Sequence, residues 1–376
     1  MTNDVLFSEL DAEQGKKIGV ATLNVEKKLN SLNQDMVQAL RQQLTQWQDD
    51  ETIVCIWLQG AGEKGFCAGG DVRCLRDKIE EVGPQQALPY VQAFFENEYR
   101  LDFQIHTYPK PIIVWGHGIV MGGGIGLMCG ASHRIVTEKS RLAMPEVTIG
   151  LYPDVGGTWF LNHAPGRTGL FLGLTGANIN ATDAIFVGMA DRFVPSDKKQ
   201  TLLDQLQQAV FGDDPVENGA MVNGLLRKLE SEADMPPSQV QHNYYTIQKA
   251  TDGDNLVEVV ENILAIDSDD KWLSKAKATL QAGCPTTAHL VYQQLQRGKK
   301  LSLPGVFQLE LIMSLQCALH PDFPEGVRAL LVDKDGAPKW QHDSVADVPR
   351  SWVDEHFTPP WPDGKNPLTD IATQDS

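Results

Sequence analysis

The stretch Gly116-His117-Gly118-Ile119-Val120-Met121-Gly122-Gly123-Gly124-Ile125-Gly126 follows the apolar run PIIVW and leads into LMCGA. A short buried strand, a glycine run and a small-residue helix in that order are the punctuation of an α/β protein. Upstream the same order appears twice. Residues 17–25 (KIGVATLNV) read as a strand and 34–47 as an amphipathic helix with Met36, Leu40, Leu44 and Trp47 on one face. Residues 53–58 (IVCIWL) form the next buried strand, followed by the turn-rich QGAGEKGFCAGGD and a helix over about residues 86–103. Downstream, HRIVTEKSRLA reads as two short strands around a turn. No exact repeat is visible, yet strand, turn and helix recur as similar successive units.

After about Pro195 the pattern turns helical, with helices expected over 198–210, 220–232, 256–264, 271–282 and 286–295. The tail from Trp340 is rich in Pro, Asp and Trp and reads as irregular, with a frayed TDIATQDS end. The division expected is a catalytic core over 1–205 and a helical region with an irregular tail over 206–376.

The 376 residues carry 32 basic and 49 acidic side chains, a formal charge of −17. Phosphate attraction needs a basic face, so nucleic acid is excluded as a general partner. Any anionic ligand must meet local cations. No apolar run reaches the length of a membrane helix, so no membrane partner is expected. The opening MTNDVLFSELDAEQGKK is acidic and polar, unlike a secretory or Arg-rich leader. The six cysteines (Cys55, Cys67, Cys74, Cys129, Cys284 and Cys317) form no C-x-x-C pair and read as reduced thiols. These readings together give a cytoplasmic protein. The histidines show no metal-ligand spacing, and no metal is expected.

Two glycine-rich loops stand where strands end: Lys64-Gly65-Phe66-Cys67-Ala68-Gly69-Gly70-Asp71 and the 116–126 run. Neither fits a phosphate loop, and Met121 breaks the dinucleotide fingerprint at its third glycine. No G-x-S-x-G elbow occurs, which removes the serine-hydrolase reading. Each glycine alone fits a tight turn. Paired backbone N–H groups on such loops can also stabilise an oxyanion. A third segment, Met144-Pro145-Glu146-Val147-Thr148-Ile149-Gly150-Leu151-Tyr152-Pro153-Asp154-Val155-Gly156-Gly157, sets two carboxylates eight residues apart among apolar residues. Carboxylates there are costly to bury unless paired or used. Cys67 and His117 rank low as nucleophile or base, because neither has an indicated partner.

CAGGD, MGGG and PE-x-x-IGL-x-PD-x-GG, in that order, resemble the enoyl-CoA hydratase/isomerase (crotonase) superfamily, and most closely its 3-hydroxyacyl-CoA hydrolase branch. EKKLNSLNQDMV at 26–37, the FFENEY segment, LTGANINATDAIFVGMADRFV and DFPEGVRALLVDKDGAPKW extend the resemblance over most of the chain. It implies a crotonase spiral of repeated ββα units with a helical C-terminal region. It also implies an oxyanion hole from the N–H groups of Gly70 and Gly123, and Glu146 as general base or nucleophile. Asp154 is implied to meet a substrate hydroxyl or place the water, and Glu98 to contact the substrate. Gly126 stands where hydratases carry their first glutamate, which favours thioester hydrolysis over hydration. For the coenzyme A end the resemblance points to Lys28, Lys64, Ala68, Gly70 and Asp71, with Lys334 approaching the nucleotide. Lys27, Arg73, Arg76 and Lys78 are further local cations. The substrate is an acyl-CoA, no separate cofactor is needed, and relatives with this core often form homo-oligomers. The alternatives are a hydratase or isomerase, and a non-catalytic CoA-binding protein.

Overall fold

Strand pairs that split between two sheets generate the fold. A computed structural model describes residues 3–231 and 234–373. Two compact units interleave along the chain: residues 1–70, 101–142 and 179–239 form one, and residues 71–100, 143–178 and 240–376 the other. The chain-order segments 1–205 and 206–376 therefore do not coincide with the compact units. Packing groups residues by contact, and the long returns of this chain carry 143–178 out of the first unit and 206–239 into it.

The first unit holds strands β1 (Val5–Asp11), β2 (Lys17–Leu23), β3 (Ile53–Gly60), β4 (Gly65–Cys67), β5 (Ile112–Gly116), β6 (Ile119–Met121), β7 (His133–Val136), β8 (Arg141–Ala143, at the unit boundary) and β9 (Arg192–Phe193). The large sheet runs β1-β2-β3-β5-β7-β9 and the small one β4-β6-β8. β1 pairs antiparallel with β2, and the remaining large-sheet pairs are parallel. In each of the pairs β3–β4, β5–β6 and β7–β8 the first strand joins the large sheet and the second the small one. That is the ββα spiral expected. β1 went unread because Ser8, Glu9 and Asp11 interrupt its apolar pattern, as an edge strand permits.

β3 is buried along almost its whole length, as a parallel strand covered on both faces must be. Its Cys55 and Trp57 join Ile18, Ile113, Trp115 and Ile135 in a core shared with Leu202, Leu206, Val222 and Leu226. Asn33 caps the helix Gln34–Asp49 through the Met36 N–H at 2.8 Å. That helix buries Met36, Val37, Leu40, Leu44 and Trp47. Trp47 lies so close over Gly19 that a Cβ there would stand 2.8 Å from the indole.

In the second unit the helices Leu256–Leu264 and Lys271–Ala282 have the bounds read from sequence, whereas Pro285–Gly298 runs longer than expected. Leu303–Leu319 was not foreseen. Its buried residues lie all round it, so it lacks the one-sided stripe that marks a surface helix. Ile371 of TDIATQDS is buried, as is Leu368 just before that segment, both in the 3-10 helix Pro367–Thr373, which corrects the frayed reading for the part of the segment in that helix. The last residues of that segment, and Glu232 of the 220–232 helix, lie outside the described residues. No described helix is long and apolar enough to cross a membrane.

Candidate active site

Gly70, Gly123 and Glu146 occupy the same station in successive strand pairs: each follows the small-sheet strand of its pair, β4, β6 and β8 respectively.

In the first unit, Ala68 N–H donates to Leu29 O at 3.0 Å and Leu32 N–H to Gly69 O at 2.8 Å. These bonds tie the turn bearing Lys28 to the first glycine loop. Leu32 and Gly70 form a parallel bridge. Leu32 is the member of this bridge whose N–H turns to the other strand, onto Gly69 O, so the Gly70 amide is left for the opposite side. Gly123 opens the helix Gly123–Gly130, and as its first residue it has no intrahelical acceptor for its N–H. The two loops approach so closely that a Cβ on Gly69 (φ +104°) would lie 3.3 Å from Met121 O and 3.7 Å from Gly123 N. Gly126, the position of the missing acid, is buried within that helix.

Sequence reading missed Asn30, which is 1% exposed and left-handed at φ 56°. Its side chain accepts from Val25 N–H and donates to Ala61 O and Gly65 O at 3.0 Å each. It thereby fixes the Lys28 turn to the loop carrying Lys64. Lys28 and Lys64 are exposed on these turns. His117 Nε2 bonds Gly62 O at 2.9 Å, so the ring braces this loop. Cys67 is buried, forms no disulfide and turns its Sγ to Gly69 O at 3.8 Å, the setting of a packed core thiol.

In the second unit, Asp71 N-caps the helix Val72–Val82, where Arg76 pairs with Asp77 and Lys78 with Glu81. Lys334 is exposed in a left-handed turn beside the Arg328 ion pairs with Asp333 and Asp335. Lys28 and Lys64 thus belong to one unit and Asp71 and Lys334 to the other.

The second unit also gathers the carboxylates. Glu98, Glu146 and Asp154 are 2%, 5% and 5% exposed. On the acidic helix Pro84–His106 the two acids divide sharply: Glu96 pairs with Arg100 at 3.1 Å, whereas Glu98 Oε1 is buried with no hydrogen-bond partner. Glu146 Oε2 is likewise buried and unpartnered. Glu146 opens the 3-10 turn Glu146–Ile149. Burial pushes its carboxyl well above the usual range, and the neighbouring Asp154 and Glu98 charges add to the rise. Burial and then Asp154 do the same to Glu98. Burial takes Asp154 up to about 6, against the pull of a hydrogen bond with the Tyr99 hydroxyl. Carboxyls so arranged can hold protons near neutrality, as a general acid or base requires.

Glu310, on Leu303–Leu319, supports the Asp154 loop. Its carboxylate accepts from Gly156 N–H at 2.8 Å and Thr158 N–H at 2.9 Å. Gln294 donates to Pro153 O at 2.5 Å and to Thr158 Oγ1 at 2.8 Å. A lone acid in the otherwise apolar VFQLELIMSLQCAL is a signal that could have exposed Glu310. Tyr99 and Ser314 carried no such signal. Phe66 and Tyr152 are wholly buried, and the Trp159 ring lies tilted against His163 at 4.6 Å between ring centres.

A spiral α/β fold with backbone amides on glycine-rich loops and a set of buried, partner-poor carboxylates defines an enzyme of acyl-CoA chemistry. The chain belongs to the enoyl-CoA hydratase/isomerase family, whose model matches residues 18–357. It is similar to a Danio rerio protein named 3-hydroxyisobutyryl-CoA hydrolase, mitochondrial, with 38% identity across 93% of this chain and 90% of the relative. The Homo sapiens protein of the same name is 36% identical across 90% of this chain and 86% of the relative. A crystal structure of an enoyl-CoA hydratase from Rhodobacter sphaeroides superposes with a TM-score of 0.83 at 33% identity, covering 95% of this chain and 98% of that one. The mitochondrial names of the relatives overturn the cytoplasmic expectation. Reduced thiols separate reducing from oxidising compartments and do not distinguish among the reducing ones.

Proposed function

We propose that this protein hydrolyses the thioester of 3-hydroxyisobutyryl-CoA, or of a similar short 3-hydroxyacyl-CoA, as a step of valine breakdown. Water and the thioester give the hydroxy acid and free CoA. The observation that carries the reading is the set of buried acids Glu98, Glu146 and Asp154, together with Gly126 where a hydratase would need its first glutamate. The names of the curated relatives support it.

In this reading the Gly70 and Gly123 N–H groups receive the thioester oxygen as its charge develops. Glu146 takes the proton of an attacking water, or attacks the carbonyl itself to form an anhydride that water opens. Both routes end in the same products. Asp154 and Glu98 meet the acyl portion, and a buried acceptor built for a 3-hydroxyl rejects chains that lack one. Lys28 and Lys64 meet the phosphates of CoA beside Ala68, Gly70 and Asp71, with Lys334 toward the nucleotide. Coenzyme A enters as part of the substrate, and the chemistry asks for no further cofactor. The hydratase reading draws on the name of the Rhodobacter structure, but with Gly126 in place it lacks the first of its two glutamates.

The test is free-thiol release from 3-hydroxyisobutyryl-CoA. Wild type releases thiol, and Glu146→Gln loses about 10²–10⁴-fold in kcat while remaining folded. Hydration of crotonyl-CoA without thiol release would instead make the protein a hydratase. Binding of CoA with neither reaction would make it a non-catalytic binder.

A further inference from the structure

Beyond the carboxylates lies a continuous chain of buried hydroxyls. Asp154 Oδ2 is 2.7 Å from the Tyr99 hydroxyl, which is 2.6 Å from Ser314 Oγ. Ser314 Oγ is 2.8 Å from the Tyr152 hydroxyl, and Tyr152 donates to the Glu310 backbone carbonyl at 2.5 Å. Tyr99, Tyr152 and Ser314 are completely buried.

These are four links, and each needs one proton. The three hydroxyls supply three. The Glu310 end is a carbonyl and can only accept. With Asp154 ionised both ends only accept, so one of the two contacts of Ser314 is left as two oxygens with no proton between them. With Asp154 protonated, Asp154 donates to Tyr99, Tyr99 to Ser314, Ser314 to Tyr152 and Tyr152 to Glu310. Every link is then filled.

We propose that Ser314, with Tyr99 and Tyr152, is a positioning residue that holds a proton on Asp154, because this hydroxyl chain is complete only when Asp154 supplies the fourth hydrogen. Burial favours the same state, against the pull of the bond that Tyr99 donates, and no cation among the described residues opposes it. Glu98 and Tyr99 face it from Pro84–His106, Glu146 from its 3-10 turn, Tyr152 from its own loop, and Glu310 and Cys317 from Leu303–Leu319; none is a cation. The consequence rests on the hydrolase reading above. A neutral Asp154 keeps a second negative charge away from Glu146, which must ionise to act as base or nucleophile.

Deleting one atom tests the count. In Ser314→Ala two links remain, Tyr99 to Asp154 and Tyr152 to Glu310; the two tyrosine protons fill both when Asp154 is ionised, and a proton on Asp154 leaves one hydrogen without an acceptor. The Asp154 carboxyl carbon is followed by NMR in the full chain labelled with ¹³C-aspartate, its resonance assigned by its loss in Asp154→Asn. The titration midpoint of Asp154 is expected to fall by about one pH unit in Ser314→Ala, the equivalent of one net hydrogen bond. Tyr152→Phe leaves two protons for the two links among Asp154, Tyr99 and Ser314, and lowers the midpoint as well. An unchanged or raised midpoint in these variants overturns the proposal. The titration needs no turnover, so a failure of the hydrolase reading would appear separately, as absent thiol release from a wild type whose midpoint still responds to Ser314→Ala.

Discussion

Gly124→Ala probes the contact between the two glycine loops with a single methyl group. A Cβ on Gly124 would lie 2.4 Å from Cys67 O, 2.9 Å from Cys67 Cβ and 3.0 Å from Cys67 C. The first of these is a backbone atom and cannot swing aside. Restoring ordinary van der Waals distance requires the loops to part by about 1 Å, and displacements of that size at a reacting centre cost on the order of 10²-fold in rate. Gly123 and Gly70 flank the contact, next to Gly124 and three residues after Cys67, so the parting falls on the two amides that the proposed mechanism assigns to the thioester oxygen. Overpacking costs about 1–3 kcal/mol, and alanine recovers about 1 kcal/mol of helix propensity. Net stability therefore changes little, and the rate is the sensitive readout. Expected is a fall of about 10²-fold in kcat/KM for thiol release, equal to about 2.7 kcal/mol of transition-state stabilisation, with a urea midpoint close to wild type. A folded Gly124→Ala enzyme within threefold of wild-type kcat/KM would refute the oxyanion role of these loops.

Two further outcomes follow from the buried acids. Asp154→Ala removes the carboxyl assigned to the 3-hydroxyl, so the preference for 3-hydroxyisobutyryl-CoA over isobutyryl-CoA in kcat/KM should shrink at least tenfold; an unchanged ratio assigns the hydroxyl elsewhere. Stability should also decline with pH above about 6.5. Burial raises Glu310 to about 8 and holds Glu98 and Glu146 well above their ordinary range, so the native state binds more protons than the unfolded chain in that window. Below it, His106 and His356, both lowered to about 4 by burial, act with the opposite sign. Urea unfolding at pH 6.5 and 8 measures the slope, and Glu310→Gln should flatten it; stability that rises over this interval contradicts the carboxyl burial.

The motifs were legible because backbone chemistry is local. A glycine run after a strand, or a Pro-Glu before an Ile-Gly-Leu, announces itself within a dozen residues, which marked the loops and the acids Glu146 and Asp154, while the family resemblance singled out Gly70 and Gly123. Glu98 was harder, since Glu96 two residues earlier has the same composition around it. Burial separates them: one meets Arg100 and the other meets no partner. Leu303–Leu319 escaped notice because a helix buried on every side shows no stripe.

The sequence by itself determined the α/β class and the order of the glycine loops, since each depends on residue type and short spacing, and its family resemblance marked Gly126 as the place of an absent acid. Only the tertiary structure decided that Tyr99, Ser314, Tyr152 and Glu310 support Asp154, across separations of up to 215 residues. Hydroxyls far apart in the chain carry no periodicity or motif. What joins them is the closing of hydrogen bonds in a dry interior, where every polar group must find a partner.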